Sequence, residues 1–387
     1  MGDISRPVAA LTSLLGLGSI PMNANPTPAR VAVLFGGRSS EHAVSCVSAA
    51  AVVEALEAGG FEVVPVGITR SGRFVLVPQG PAALTAAPGA LPEIADLAPA
   101  TTSTEIATSV SDDVAASLGS VDVVFPVLHG PWGEDGTIQG LLEMLDVAYV
   151  GSGVFASAAS MDKVHMKAVF RAAGLPVGPY QVITNSDWLL HQDASIKRAS
   201  ALGFPLFVKP ARAGSSVGIT RVTDAADLVR AIEFAREHDR KIVVEAAIVG
   251  GREIECAVLE GLNGARPESS RPAEIKVRDG FDFYDFNAKY LDDGAELIVP
   301  ADLPPEVATQ VQELARLVFE AVDAESLARV DFFVLADNSV IVNEINTMPG
   351  FTPISMFPRL WAAEGLDYPA LVKRLVEQAA ARPHGLR

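Results

Sequence analysis

Residues 327–351 read LARVDFFVLADNSVIVNEINTMPGF, two β-branched and aromatic runs on either side of a polar turn. Asp337-Asn338 supplies a two-residue turn, because both side chains tolerate left-handed backbone. With that turn at the centre, Asp331 faces Glu344 and Arg329 faces Asn346. Alternation along each strand then puts all four side chains on one face, at adjoining rungs. Two carboxylates about 5 Å apart repel by about 3 kcal/mol at an effective dielectric of about 20, so a shared proton or a cation is expected between them. The amide oxygen of Asn346 adds a third hard oxygen, which suits magnesium. The competing reading is a strand end with solvated charges. Val330, Phe332, Phe333, Val334, Ile341, Val342 and Ile345 argue instead for a buried setting. A three-residue loop would shift the pairing by one and weaken the metal reading.

Around this hairpin lies a chain of 387 residues, long enough for two or three domains. Hydrophobic residues make up 49%, ample for several cores, and no apolar run is long enough to span a membrane. The net charge of -17 disfavours non-specific binding to nucleic acid or to an anionic membrane, so an anionic ligand needs a local basic cluster. Cys46 and Cys256 are the only cysteines and each has apolar neighbours. They read as small buried hydrophobes rather than a disulfide or zinc site, which fits a reducing cytosol. Residues 1–29 read as a disordered tail ending in Pro21, Asn23, Asn25, Pro26 and Pro28. Its apolar segment LTSLLGLGSI is preceded only by Arg6 and lacks a good cleavage site, against a signal peptide.

From 30 to 150, strands VAVLFGG, FEVVPVGI, RFVLV, VDVVFPVLHG and AYV alternate with helices near 40–58 and 137–146. That alternation indicates a mainly parallel α/β sheet, interrupted by a long Ala/Pro/Thr/Ser-rich loop over 78–120. A second unit, 151–247, carries a helix in MDKVHMKAVFRAAGL, strands PLFVKP, GITRV and KIVVEAAI, and a helix near 224–238. A third unit, 248–387, opens with the strand REIECAVLEG. A polar loop at 279–296, a helix over 304–323, the hairpin and a helix over 367–381 follow.

The stretch FVKPARAGSSVGI, 207–219, places Lys209 at a strand end before a Gly/Ser turn with free backbone donors. Such a strand-loop-strand can lie over phosphates, lysine acting as a point charge and N–H groups as a cradle. It is no Walker A loop, and VLFGGRSSEHAVS lacks G-x-G-x-x-G. A plain hairpin explains a lone Lys before a Gly/Ser loop as well; the carboxylate patch shifts the balance. Lys163 is a candidate second phosphate ligand or a solvated helix lysine. Glu245 sits at a strand end, before backbone that could meet an adenine edge, with Glu253 a short loop later.

These residues, together with LFGGRSSEHAVSCVSA, LHGPWGEDGTIQGLLEMLDVAYVGSGVFASAASMDK, YDFNAKY and VNEINTMPGFTPISMFP, resemble the D-alanine–D-alanine ligases. The resemblance covers about 31 to 375, with several long motifs in the family's order. It implies an ATP-grasp fold combining α/β and α+β units in three domains, an N-terminal parallel α/β domain and a nucleotide between two antiparallel sheets. It further implies that Glu41 pairs with the ammonium of the first D-alanine and that Ser215 positions that glutamate. Lys163, Lys209 and Lys289 resemble the phosphate-binding lysines, beside Ser216 of the Gly/Ser loop. Glu245, Ala246, Ala247 and Ile248 resemble the adenine strand, and Glu253 the ribose ligand. Asp331, Glu344 and Asn346 match the ligands of two magnesium ions, with manganese as a substitute. Arg329 and the N–H of Gly350 match the oxyanion stabilisers, and Ser355 and Met356 the segment receiving the second substrate's carboxylate. His129 belongs to the substrate pocket in this resemblance, with a packed strand-end histidine as the alternative.

What the resemblance implies chemically is ATP-dependent ligation through a D-alanyl phosphate, for peptidoglycan precursor synthesis. Tyr284, Lys289 and Tyr290 would form a lid, and AKY at 288–290 resembles members that make an amide rather than an ester. D-alanine and ATP would be the partners, with neither nucleic acid nor membrane, in a cytoplasmic homodimer. Two departures stand out: Ala213 precedes Gly214 where many relatives have an acid, and Ala246 stands where a lysine is common.

Overall fold

The structure is a computed structural model and describes residues 30–77, 114, 117–277 and 295–382. Most of the 78–120 loop and the lid residues Tyr284, Lys289 and Tyr290 therefore lie outside the described residues, as does the N-terminal tail.

The first sheet is built on β1 (Arg30–Gly36), flanked by β2 (Glu62–Ile68) and β4 (Val123–Pro126), both parallel to it. Short β3 (Phe74–Leu76) pairs antiparallel at one edge and β5 (Ala148–Tyr149) parallel at the other, giving the order β3-β2-β1-β4-β5. Val31 to Phe35 are fully buried, as expected of a parallel strand covered on both faces. Helix α1 (His42–Ala58) covers one face through Cys46, Ala49, Val52, Val53 and Leu56. The helix Tyr368–Ala381 buries Val372, Leu375 and Val376 in this same core, where it packs on α1 and against β4 and β5. Both cysteines are buried, in keeping with small apolar fillers.

The second sheet has four antiparallel strands: β6 (Tyr180–Ile183), β7 (Leu206–Pro210), β8 (Thr220–Val222) and β9 (Ile242–Ala246), in the order β6-β9-β7-β8. In β7, Leu206, Val208 and Pro210 point into the core, so alternation turns Phe207 and Lys209 to the other face. Helix Leu228–Arg236 seals that core with Ala231, Ile232 and Ala235.

The third sheet is also antiparallel: β10 (Arg252–Leu259), β11 (Glu268–Ser269), β12 (Ala273–Val277), β13 (Ala295–Ile298), β14 (Leu327–Val334) and β15 (Val340–Asn346). Its order is β13-β12-β10-β14-β15, with β11 on β10. Helix Pro305–Ala321 packs Val311, Ala315 and Val318 against Val330, Phe332 and Ile345. Met166 and Phe170, from helix Lys163–Ala172, join the same cluster.

The hairpin differs from its expected form in two places. Leu335 N–H donates to Ser339 O and Asn338 N–H to Leu335 O, with Asn338 at φ 67. The loop is thus three residues long, 336–338, with Asn338 as its left-handed residue, and not the two-residue Asp337-Asn338 turn. Near the loop Phe332 accordingly faces Val342. One extra residue, Asn343, then bulges out of β15 and shifts the register, so that Asp331 does face Glu344 and Arg329 does face Asn346. The longer loop and the bulge compensate.

Candidate active site

The second and third sheets border a cavity of about 970 Å³ that continues to the edge of the first. Every described candidate residue from the sequence lines it.

At its inner end, Glu245 sits between two lysines. Lys209 Nζ lies 2.6 Å from one carboxylate oxygen and Lys167 Nζ 2.9 Å from the other. Burial alone would raise the Glu245 carboxyl; Lys209 and then Lys167 hold it well below the carboxylate range. For Lys209, burial pulls the ammonium down and Glu245 more than reverses it. The strand ends at Ala246, and the N–H groups of Ala246 and Ala247 donate to the carbonyls of Pro179 and Pro205. Those two donors are committed, while Ile248 and Glu253 face the cavity.

On the opposite wall, the Arg329 guanidinium grips Asp331 through two bonds, Nε to Oδ1 at 2.7 Å and Nη2 to Oδ2 at 2.8 Å. Glu255, across the strand pair, lies 3.2 Å from the same Nε. Burial would lower the Arg329 pKa, but Asp331 and Glu255 keep it well above its ordinary value. Asn346 donates from Nδ2 to Asp331 Oδ2 at 3.1 Å. Lys163 Nζ stands 3.7 Å from Glu344 and donates to Ala213 O at 3.0 Å, tying this patch to the Gly/Ser loop. Two carboxylates and an amide on adjoining rungs fit a hard cation. They are not a group of three His, Cys, Asp or Glu, and no such group occurs among the described residues.

The Gly/Ser loop carries two consecutive left-handed residues, Ser215 at φ 45 and Ser216 at φ 59. Backbone strain of about 1 kcal/mol or more per such residue persists only where surroundings enforce it. Here the enforcing contact is visible: Ser215 Oγ donates to Glu41 Oε1. Glu41 stands at the N-cap of α1, is 7% exposed, and makes no side-chain cap bond. Its other oxygen, Oε2, has no hydrogen-bond partner among the described residues. A Cβ at Gly130 would come within 2.5 Å of that oxygen and one at Gly214 within 2.6 Å. Glycine at both positions leaves the carboxylate its room.

His129 adjoins this pocket. Its Nδ1 meets Met348 O at 3.1 Å, and a carbonyl only accepts, so Nδ1 carries the hydrogen. Nε2 is buried without a hydrogen-bond partner among the described residues. Burial pushes the imidazole below its ordinary pKa, against the raising influence of Glu41. Glu134 accepts from Gly130 N–H at 2.8 Å and Met348 N–H at 3.3 Å. Together His129 and Glu134 fasten the Met348–Gly350 segment to the first sheet. Beyond it, Ser355 Oγ accepts from Thr352 N–H at 3.1 Å, and Ser355 stands at the N-cap position of the helix Met356–Ala363 without a side-chain cap bond; that N-terminus opens on the cavity.

Lys167, Glu255 and Glu134 were not singled out in the sequence. Lys167 had a signal, since it lies four residues after Lys163 on one helix face. Glu255 and Glu134 had none, because their partners are more than seventy and two hundred residues away, in Arg329 and Met348 respectively.

Two antiparallel sheets facing each other over a lysine- and carboxylate-lined cleft, beside a parallel α/β sheet, define an ATP-grasp ligase. Residues 30–152 match the family described as D-ala D-ala ligase N-terminus, and 169–377 match D-ala D-ala ligase C-terminus. The chain is 54% identical to the D-alanine–D-alanine ligase of Kineococcus radiotolerans, covering 95% of this chain and 100% of that one. Among solved structures, the D-alanine-D-alanine ligase of Coxiella burnetii superposes with a TM-score of 0.72 at 33% identity, covering 92% of this chain and 94% of that one. The VanG D-Ala:D-Ser ligase of Enterococcus faecalis gives 0.75 at 33%, covering 91% and 99%. This chain belongs to the D-alanine–D-alanine ligase family.

Proposed function

We propose that this cleft joins two D-alanine molecules into D-alanyl-D-alanine by way of a D-alanyl phosphate, with ATP as co-substrate. Family membership makes the chain a peptidoglycan-precursor ligase. A carboxylate is a poor acyl donor, and phosphorylation gives it a leaving group. The transfer asks the protein mainly for positioning and charge neutralisation.

The observation that carries the reading is the Glu41 pocket. A buried carboxylate oxygen without a partner, walled by Gly130 and Gly214, is shaped for a small ammonium. Glu41 and Ser215 would hold the first D-alanine by its amine, turning its carboxylate toward the nucleotide, with His129 beside it. Lys209, Lys163 and Lys289 would neutralise the phosphates over the loop bearing Ser216. Glu245 with the 246–248 backbone would meet the adenine, and Glu253 the ribose. The carbonyl of Ala246 or Ala247, rather than their committed N–H groups, is the group left to receive the adenine amine. Asp331, Glu344 and Asn346 would hold magnesium, which screens the charge on the transferring phosphoryl group when bound. Arg329 and Gly350 N–H would face the oxyanion of the second step. Ser355 and Met356, at a helix N-terminus that favours anions, would receive the second carboxylate. Tyr290, outside the described residues, keeps the role the resemblance implies, as part of the segment that would exclude water from the acyl phosphate.

We further assign domains 30–150, 151–247 and 248–387, a homodimer and a cytoplasmic location. No described helix is long and apolar enough to cross a membrane.

Nucleotide-coupled ADP release is the direct test, run with D-alanine, L-alanine, D-serine, D-lactate and a panel of other amino acids. D-alanine alone should support turnover with an amide product. Turnover that prefers D-serine as the second substrate, as the name of the E. faecalis relative describes, would replace the product assignment.

A further inference from the structure

We propose that Lys167 is a positioning residue, a buried cation that fixes Glu245 and the Asn343 bulge to each other across the nucleotide cleft. The inference rests on the nucleotide and metal assignments above and adds a residue to them.

Lys167 is 3% exposed, on the helix Lys163–Ala172 that runs between the second and third sheets. A lysine this deep persists only when paired, and its partners lie on both sheets. On the second sheet it meets Glu245 Oε1 at 2.9 Å. On the third it donates to Asn343 O at 3.4 Å. Its ammonium also stands 5.9 Å from the Tyr180 ring centre, at the edge of cation–π range.

Each contact has its own consequence. Glu245 divides its two oxygens between Lys209 and Lys167. An incoming polyphosphate competes for Lys209, the lysine at the mouth of the Gly/Ser loop. If Lys209 were the sole partner, its departure would strand a buried carboxylate, a costly state. Lys167 stays behind, keeps Glu245 ionised and in place, and so frees Lys209 to engage the nucleotide. Asn343, for its part, is the extra residue whose insertion changes the pairing from Phe332–Val342 to Asp331–Glu344. The carbonyl that Lys167 grips belongs to the residue that puts the two carboxylates opposite one another. Lys163, one helical turn earlier, holds Glu344 from the same face. One helix thereby sets the spacing between the lysine side of the cleft and its carboxylate side.

Lys167→Met keeps most of the side chain's volume and removes its charge; Lys167→Arg restores a cation. The readouts are calorimetric affinity for ADP and Mn²⁺ affinity by electron paramagnetic resonance in the presence of ADP. Neither depends on which amino acids are joined, so their outcome is separate from that of the substrate panel. Lys167→Met should weaken both affinities by about tenfold, with the KM for D-alanine within about twofold of wild type, and Lys167→Arg should recover most of the loss. Both affinities within about twofold of wild type in folded Lys167→Met would overturn the proposal. Should that variant fail to fold, adding Lys167→Met to Glu245→Gln leaves no stranded carboxylate and replaces it. Against Glu245→Gln alone, the double variant should keep its ADP affinity and still lose Mn²⁺ affinity several-fold through Asn343; unchanged Mn²⁺ affinity would equally overturn it.

Discussion

Ser215 donates its hydroxyl hydrogen to Glu41, joining the Gly/Ser loop of the second sheet to the first helix, 174 residues earlier in the chain. The bond fixes one carboxylate oxygen and leaves the other buried against Gly130 and Gly214, with no hydrogen-bond partner among the described residues. Ser215→Ala should therefore raise the KM for the first D-alanine by about tenfold, the worth of one hydrogen bond to a charged group, without moving ADP affinity. Glu41→Gln, which removes the charge itself, should cost at least about a hundredfold in kcat/KM. Steady-state kinetics with ADP calorimetry checks both; equal losses in nucleotide and amino-acid affinity would point to a general collapse instead.

Gly130 offers a steric version of the same test. At φ +71, with Glu41 Oε2 2.5 Å from where a Cβ would sit, Gly130→Ala strains the backbone and displaces the carboxylate. Gly60→Ala is the control for strain alone, since Gly60 has φ +84 and nothing within 4 Å of a Cβ. Gly130→Ala should lower kcat/KM for D-alanine by more than about tenfold while Gly60→Ala lowers it little, with both variants' melting temperatures reporting the backbone cost.

Arg329 lies between Asp331 and Glu255, so removing it exposes two consequences at once. Arg329→Ala should lower turnover about a hundredfold through loss of oxyanion stabilisation, and stability by about 3 kcal/mol because Asp331 and Glu255 lose their shared buried cation. Added Mg²⁺ should recover part of that stability, and more than it adds to wild type, because the cation offsets the same charges. Urea titrations with and without Mg²⁺ measure this. Turnover within about twofold of wild type would remove Arg329 from the chemistry.

Glu134 should make stability depend on pH. Burial, and then the charge of Glu41, push its carboxyl up to about 8. The folded protein therefore holds this proton where the unfolded chain has lost it. That contribution is fully present below the ordinary value of 4.5 and declines as pH rises through about 8. Glu134→Gln cannot titrate, so its melting temperature minus that of wild type should increase between about pH 5 and about pH 8. A constant difference over that window would contradict the assignment.

The hairpin shows how far the sequence carried and where it stopped. Alternation of apolar residues locates both strands, and the polar residues at their mouth mark the carboxylate patch. The facing of Asp331 and Glu344 came from a turn that is one residue too short, and holds because Asn343 bulges by one. A loop's length and a bulge depend on backbone energies that no apolar pattern encodes. The same limit hid the working environment of each charge. Glu245 was visible as a strand-end acid, but its two lysines come from β7 and from a helix more than seventy residues earlier. Likewise the strand pattern placed His129 at a strand end, while its bond to Met348 exists only once the third sheet folds against the first. Local periodicity found the elements; the pairing of buried charges between them is tertiary.

The most direct test of the account uses D-alanine labelled with ¹⁸O in both carboxylate positions, with the protein, ATP and Mg²⁺. If the carboxylate attacks the γ-phosphate and the second amine then expels phosphate, one ¹⁸O atom must appear in inorganic phosphate for each D-alanyl-D-alanine formed. Phosphate released without label, or dipeptide absent while ADP accumulates, would contradict the acyl-phosphate route and the cleft chemistry built on it.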